Sequence, residues 1–319
     1  MTDHLLPVRE VIRAQNILGE DPLWDVERSG LWWLDLKRRT ISFWTPGAEE
    51  HRTWPVPGLV GSAALRPDGR ILVAGSMLWD FDPFSADRFA AEPFTVRAAM
   101  PAGEPTTNRF NDGRVDAQGR FVVGTMDNAG IGRHGTLYRI SESATGALDI
   151  EQLWSACGIP NGACTAPDGT IGYWADSSDP MIYRYDPADP HVTRRPFAPV
   201  GPDGVADGAC VDADGHVWIA HWDGWKLSRF RPDGTLERTV RLPVQRPTCP
   251  AFGGPDFATL FVTTASDGLT ADERRRQPLA GSVLALPVGD GLGIVGLPEH
   301  RFGRRANGSI TSPGPVVRR

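Results

Sequence analysis

Short runs of alternating apolar and polar residues, separated by Gly, Pro, Asp and Asn, recur along the whole chain. Such alternation suits half-buried strands joined by tight turns rather than helices. Clear examples lie at 135–140, 181–186 and 226–230. The runs are themselves periodic. Residues 61–69 (GSAALRPDG), 111–119 (NDGRVDAQG), 161–169 (NGACTAPDG) and 207–215 (DGACVDADG) align, and each is followed by another apolar strand. Their closing glycines, Gly69, Gly119, Gly169 and Gly215, recur at steps of 50, 50 and 46 residues. Two looser units complete the pattern. One covers 19–56, with Gly30 read as its turn glycine, and the other covers 248–298.

Six repeats of four short strands predict an all-β, six-bladed β-propeller with four antiparallel strands per blade. No stretch is left for a seventh blade. Residues 8–14 are expected to pair with the last unit and protect its edge. The propeller is predicted to occupy residues 1–303 as one domain, followed by a disordered tail over the Gly/Pro/Ser/Arg-rich residues 304–319.

Composition agrees and excludes some functions. Gly (36), Pro (28) and Trp (11) are all abundant, as expected of many turns and flat side chains packed between layers. A net charge of −6 with no basic face argues against a nucleic-acid partner. No apolar run approaches the ~20 residues of a membrane span, and no secretory leader is visible. Cys157, Cys164, Cys210 and Cys249 lack zinc-site spacing and read as buried free thiols in a reducing compartment. A soluble, cytoplasmic monomer or weak homo-oligomer is expected.

The repeat register carries the candidate chemistry. Gly61, Asn111, Asn161 and Asp207 stand eight residues before their turn glycines, and Glu20 stands ten before Gly30. The start of an innermost strand lines a propeller's channel mouth, so these side chains are predicted to converge. Asn161-Gly162 and Asp207-Gly208 are also ordinary turn dipeptides. As a set, however, Glu20, Asn161 and Asp207 place two carboxylates and one amide oxygen about one axis. Carboxylates held close repel unless a proton or cation intervenes, and oxygen-only ligation suits Ca²⁺, Mg²⁺ or Mn²⁺. His134 reads as a surface residue, His221 as a packed histidine and Arg274–Arg276 as a solvated loop. No GxSxG elbow occurs.

Several segments together resemble the regucalcin/senescence-marker/gluconolactonase family. They are GEDPLW (19–24), RFNDGR (109–114), GTM (124–126), PNG (160–162), ADG (206–208) and RPTCPAFGG (246–254). The resemblance spans roughly residues 17 to 303, and it implies a six-bladed sugar lactonase. By it, Glu20, Asn161 and Asp207 match the metal ligands, Asp207 also matches the general base, and Arg109 and Asn111 match substrate contacts. One divalent ion is implied: Ca²⁺, Mg²⁺, Mn²⁺, Zn²⁺ or Fe²⁺. Asp21 departs from the pattern, standing where the family commonly has a small residue. In Asp127-Asn128-Ala129, Asp127 is the candidate for an acidic substrate contact that some members carry there. The activity implied is metal-dependent hydrolysis of a sugar lactone. A non-catalytic calcium- or ligand-binding propeller and a propeller phosphotriesterase are the alternatives.

Overall fold

The structure, a computed structural model, describes residues 6–84, 93–189 and 191–303, so the predicted tail lies outside the described residues. Among these residues, 24 strands form six four-stranded antiparallel sheets. The first blade is β2 (Gly19–Asp25), β3 (Gly30–Asp35), β4 (Thr40–Trp44) and β5 (Arg52–Pro55). The second is β6 (Val60–Leu65), β7 (Ile71–Gly75), β8 (Leu78–Phe81) and β9 (Phe94–Ala98). The third is β10 (Asn108–Val115), β11 (Phe121–Asp127), β12 (Gly135–Glu142) and β13 (Leu148–Cys157). The fourth is β14 (Pro160–Thr165), β15 (Gly172–Asp176), β16 (Met181–Tyr185) and β17 (Arg195–Pro199). The fifth is β18 (Val205–Val211), β19 (Val217–Trp222), β20 (Lys226–Phe230) and β21 (Leu236–Arg241). The sixth closes the ring: β22 (Pro247–Gly253), β23 (Thr259–Thr264) and β24 (Val283–Pro287) are completed by β1 (Arg9–Ile12) from the other end of the chain.

Second strands read as continuous apolar runs because both their faces are covered. In β3, Trp32 and Leu34 pack toward the second blade with Val73 and Phe81. Leu31 and Trp33 pack the other way, with Phe261 and Val283 of the sixth. In β19, Trp218 and Ala220 face the sixth blade, while Val217 and Ile219 face the fourth. The cores are therefore sheet-on-sheet layers between blades, repeated around the ring.

Two sequence expectations change. Gly30 opens β3 rather than sitting in the turn, where Ser29 takes the left-handed conformation (φ 48°). Gly30 is glycine for a different reason: a Cβ there would lie 2.4 Å from the Phe43 ring and 2.7 Å from the Trp44 carbonyl oxygen. Arg274–Arg276 form the last turn of a short helix, α1 (Ala271–Arg276), rather than a loop. Thr270 and Glu273 cap it reciprocally, which satisfies orphan backbone donors at its start.

After a second short helix, α2 (Val288–Leu292), the chain crosses the ring on the side of the β2–β3-type turns. The Ala213 N–H donates to Val295 O (2.9 Å), the Phe302 N–H to Leu65 O (2.8 Å) and the Gly303 N–H to Gly119 O (3.0 Å). This strap thus bridges the fifth, second and third blades. Phe302 is fully buried against Phe121, and Glu299 meets Arg114 at 3.3 Å.

Candidate functional site

All six innermost strands break register near their starts. The breaks fall between Glu20 and Leu23, Val60 and Ser62, Phe110 and Gly113, Asn161 and Cys164, Ala206 and Ala209, and Pro247 and Pro250. Bulges of this kind leave residues out of the ladder and re-aim their side chains. Of the candidate residues, Glu20, Arg109, Asn111, Asn161 and Asp207 lie in or beside these breaks, at the end of the channel opposite the strap. Freed side chains also tie blade to blade. The Ala63 N–H donates to Asp21 Oδ2 (2.6 Å), the Ala163 N–H to Asp112 Oδ2 (3.0 Å), and the Thr248 hydroxyl to Gly19 O (2.6 Å).

A chain of hydrogen bonds joins three of the candidates. Arg109 Nη1 donates to Asn111 Oδ1 (2.7 Å), and Asn111 Nδ2 donates to Asn161 Oδ1 (2.9 Å) and Pro160 O (3.0 Å). Arg109 Nη1 also donates to Phe110 O (2.9 Å), and its Nε donates to Asn128 Oδ1 (3.3 Å). Asn161 Nδ2 donates to Ser177 Oγ (2.8 Å), whose own proton goes to Ala206 O (2.7 Å).

Glu20 and Asp207 are brought together electrostatically. Burial, then Asp207, Asp112 and Asp21, pushes the Glu20 carboxyl well above its ordinary range. Burial, then Asp112, does the same to Asp207. Burial also lifts Asp21 to about 8, against the pull of Arg114. Burial lowers Arg109 to about 10; Glu20 opposes this, yet no ion pair forms between them. Arg114, also buried, lies near Asp21. Burial works against its charge, but Glu299, Cys249, Asp21 and Asp112 outweigh that and raise it.

Asp127 stands apart. Its carboxyl is lowered by hydrogen bonds from the Thr107 side chain and from the N–H groups of Ala129 and Ile131, so it caps its own turn. Asn128, the next residue, reaches Arg109 instead. His134 is exposed, and His221 is fully buried with Nε2 on Ser228 Oγ (2.8 Å). Sequence reasoning passed over Asp112, Arg114 and Ser177. Asp112 was legible as a carboxylate directly after Asn111, whereas nothing in the sequence distinguishes Ser177 from Ser178.

The donor set fits a hard divalent cation. Asp207 is buried and Glu20 half-buried, Asp207 raises Glu20, and neither carboxylate forms an ion pair among the described residues, a situation that a 2+ charge between them would relieve. Among the described residues no three His, Cys, Asp or Glu side chains form a metal-binding cluster. The third oxygen of the candidate set is an amide.

Fold and site together define a six-bladed propeller with an acidic, oxygen-rich channel mouth. The pattern described as the SMP-30/gluconolactonase/LRE-like region matches residues 18–266, and the chain belongs to that family. It is 30% identical to regucalcin of Xenopus laevis over 305 residues, covering 92% of this chain and 97% of the relative. It is 32% identical to 6-deoxy-6-sulfogluconolactonase of Pseudomonas putida over 286 residues, covering 87% and 94%. The crystal structure of regucalcin from Agrobacterium tumefaciens, described as a calcium-binding protein, superposes with a TM-score of 0.82 at 27% identity. That match covers 93% of this chain and 98% of the other.

Proposed function

We propose that the protein hydrolyses a sugar lactone to the open-chain aldonic acid at the channel mouth, with one divalent cation held by Glu20, Asn161 and Asp207. The observation that carries this reading is the Arg109–Asn111–Asn161 hydrogen-bond chain beside the Glu20–Asp207 pair. It puts a cationic donor fork and an amide next to the candidate ligands, an arrangement suited to hydroxyl-bearing substrates. Membership of a gluconolactonase-like family, with a sulfogluconolactonase among the relatives, supports the reaction class.

The bound cation would supply Lewis-acid polarisation of the lactone carbonyl and acidification of the attacking water. The chain's own residues do the rest. Arg109 and Asn111 orient the substrate's hydroxyl and ring oxygens. Asp207 accepts a proton from the water whose oxygen bonds to the carbonyl carbon. The ring carbon–oxygen bond then breaks and the ring oxygen takes up a proton, so one water is added overall. Asp127 enters only as a mouth residue whose turn would have to open to reach substrate.

The calcium-binding description of the Agrobacterium relative favours a second reading, ion binding without turnover. Metal-stripped protein, reconstituted with Ca²⁺, Mg²⁺, Mn²⁺, Zn²⁺ or Fe²⁺ in turn, should be screened on aldonolactones and on an organophosphate triester. Lactone hydrolysis restored by an added ion is the expected result. Ion binding by calorimetry with no lactone turnover favours the second reading, and preference for the triester favours a phosphotriesterase.

A further inference from the structure

Ser177 sits in the β15–β16 turn at the channel mouth, and its surroundings hold it still. Asp176, fully buried, accepts from the N–H groups of Gly158 (2.8 Å), Ile159 (2.9 Å) and Ser178 (3.0 Å). The Ser177 N–H donates to Ile159 O (2.9 Å). A hydroxyl fixed in this way has only one proton to give.

Donor and acceptor chemistry then dictates every direction in the network. The Ala206 carbonyl can only accept, so the Ser177 proton points to it. Ser177 Oγ must therefore accept from Asn161, which requires the Asn161 NH₂ on that side. The Asn161 oxygen is thereby turned away from Ser177, where Asn111 Nδ2 meets one lone pair and the other is left for the axis. The far end is equally determined. Arg109 has no acceptor, so Asn111 must present its oxygen to Arg109 and its NH₂ to Asn161. A flipped Asn161 would set NH₂ against NH₂ at Asn111 and point a donor at the axis.

We infer that Ser177 is a positioning residue that locks the Asn161 amide with its oxygen toward the cation, and links it to the backbone beside Asp207. The inference rests on the ligand set proposed above. The Asn161 amide is thus held from two sides, its oxygen by Asn111 and its NH₂ by the Ser177 hydroxyl, and Ser177 supplies the acceptor that secures the NH₂ side. It also couples the fifth blade to the substrate-facing pair, because Ala206, Ser177, Asn161, Asn111 and Arg109 form one directional series across three blades.

The test is calorimetric titration of metal-stripped wild type, Ser177→Ala, Ser177→Cys and Ser177→Thr with Ca²⁺ and Mn²⁺, alongside melting temperatures in chelator. Removal of groups that orient a ligand typically weakens metal binding by about 10- to 100-fold, and that loss is expected for Ser177→Ala. Ser177→Cys keeps the volume with a poor acceptor and should lose nearly as much. Ser177→Thr retains the hydroxyl and should stay within about threefold of wild type. Melting temperatures in chelator should be alike, since a merely structural role would move those instead. Wild-type affinity in both Ser177→Ala and Ser177→Cys overturns the inference, as does a Ser177→Thr that binds as weakly as Ser177→Ala. Absence of cation binding in wild type overturns the ligand set itself.

Discussion

Arg109 and Arg229 are both buried, at 7% and 5% exposure, yet their replacement by alanine should have opposite consequences. Arg229 is a structural cation. It meets Asp212 at 2.7 Å and Glu237 at 2.6 Å, and Asp212 is fully buried. Breaking such a pair strands the remaining charge, so Arg229→Ala should lower unfolding free energy by about 3–5 kcal/mol. Arg109 instead contacts neutral oxygens of Asn111, Asn128 and Phe110. Burial holds it at about 10 rather than the ordinary 12.5. Keeping it charged at neutral pH therefore costs the fold about 3 kcal/mol, which its charge-assisted hydrogen bonds offset in part. Arg109→Ala should leave stability within about 1 kcal/mol of wild type, the difference between those two opposing quantities. Its catalytic efficiency on lactone should fall by about 2–4 kcal/mol of transition-state stabilisation, or about 30- to 1,000-fold, with metal content unchanged. Urea denaturation in chelator, steady-state kinetics and metal analysis on the same samples check all three quantities. If Arg109→Ala unfolds as easily as Arg229→Ala while hydrolysing lactone normally, the reasoning from partner chemistry fails.

Removing the cation should lower the melting temperature as well as activity, because an ion bound only by folded protein contributes about 2.7 kcal/mol at 100 times its Kd. Asp207→Ala should abolish both binding and turnover, and an unchanged melting temperature in chelator with no heat of ion binding rejects the ligand set. His221 predicts a pH effect away from that site: burial, reinforced by Lys226, lowers it to about 3 from an ordinary 6.5. The unfolded chain then binds a proton that the folded one does not, so this contribution is complete above pH 6.5 and is lost as pH falls toward 3. Replacing His221 with Gln should flatten acid denaturation over that window, and an unchanged slope would remove His221 from the account.

The architecture was largely legible because a propeller repeats one solution. The alternation at 226–230 and the recurring glycines each restate the same strand-turn unit. Glu20, Asn161 and Asp207 were legible by register for the same reason. Gly30 misled because two different demands, a left-handed turn and close approach of an aromatic ring, both select glycine, and only the fold separates them. The α1 cap was present as Thr270 and Glu273, three apart, but the arginine run beside it drew attention to charge instead. Ser177 could not be found from sequence. Its role depends on which carbonyl lies within reach of its proton, and Ala206 is 29 residues away in a different blade.

The strap at the far end of the ring has a kinetic consequence. With Glu299 on Arg114 and Phe302 locked between the second and third blades, residues 293–303 lie across the channel end opposite Glu20 and Asp207. A ligand at the candidate site is then expected to enter and leave past the mouth. If the protein hydrolyses a lactone as proposed, each turnover would empty the site by the route that filled it. Product should accordingly compete with substrate for free protein, with an inhibition constant that reports the same mouth contacts.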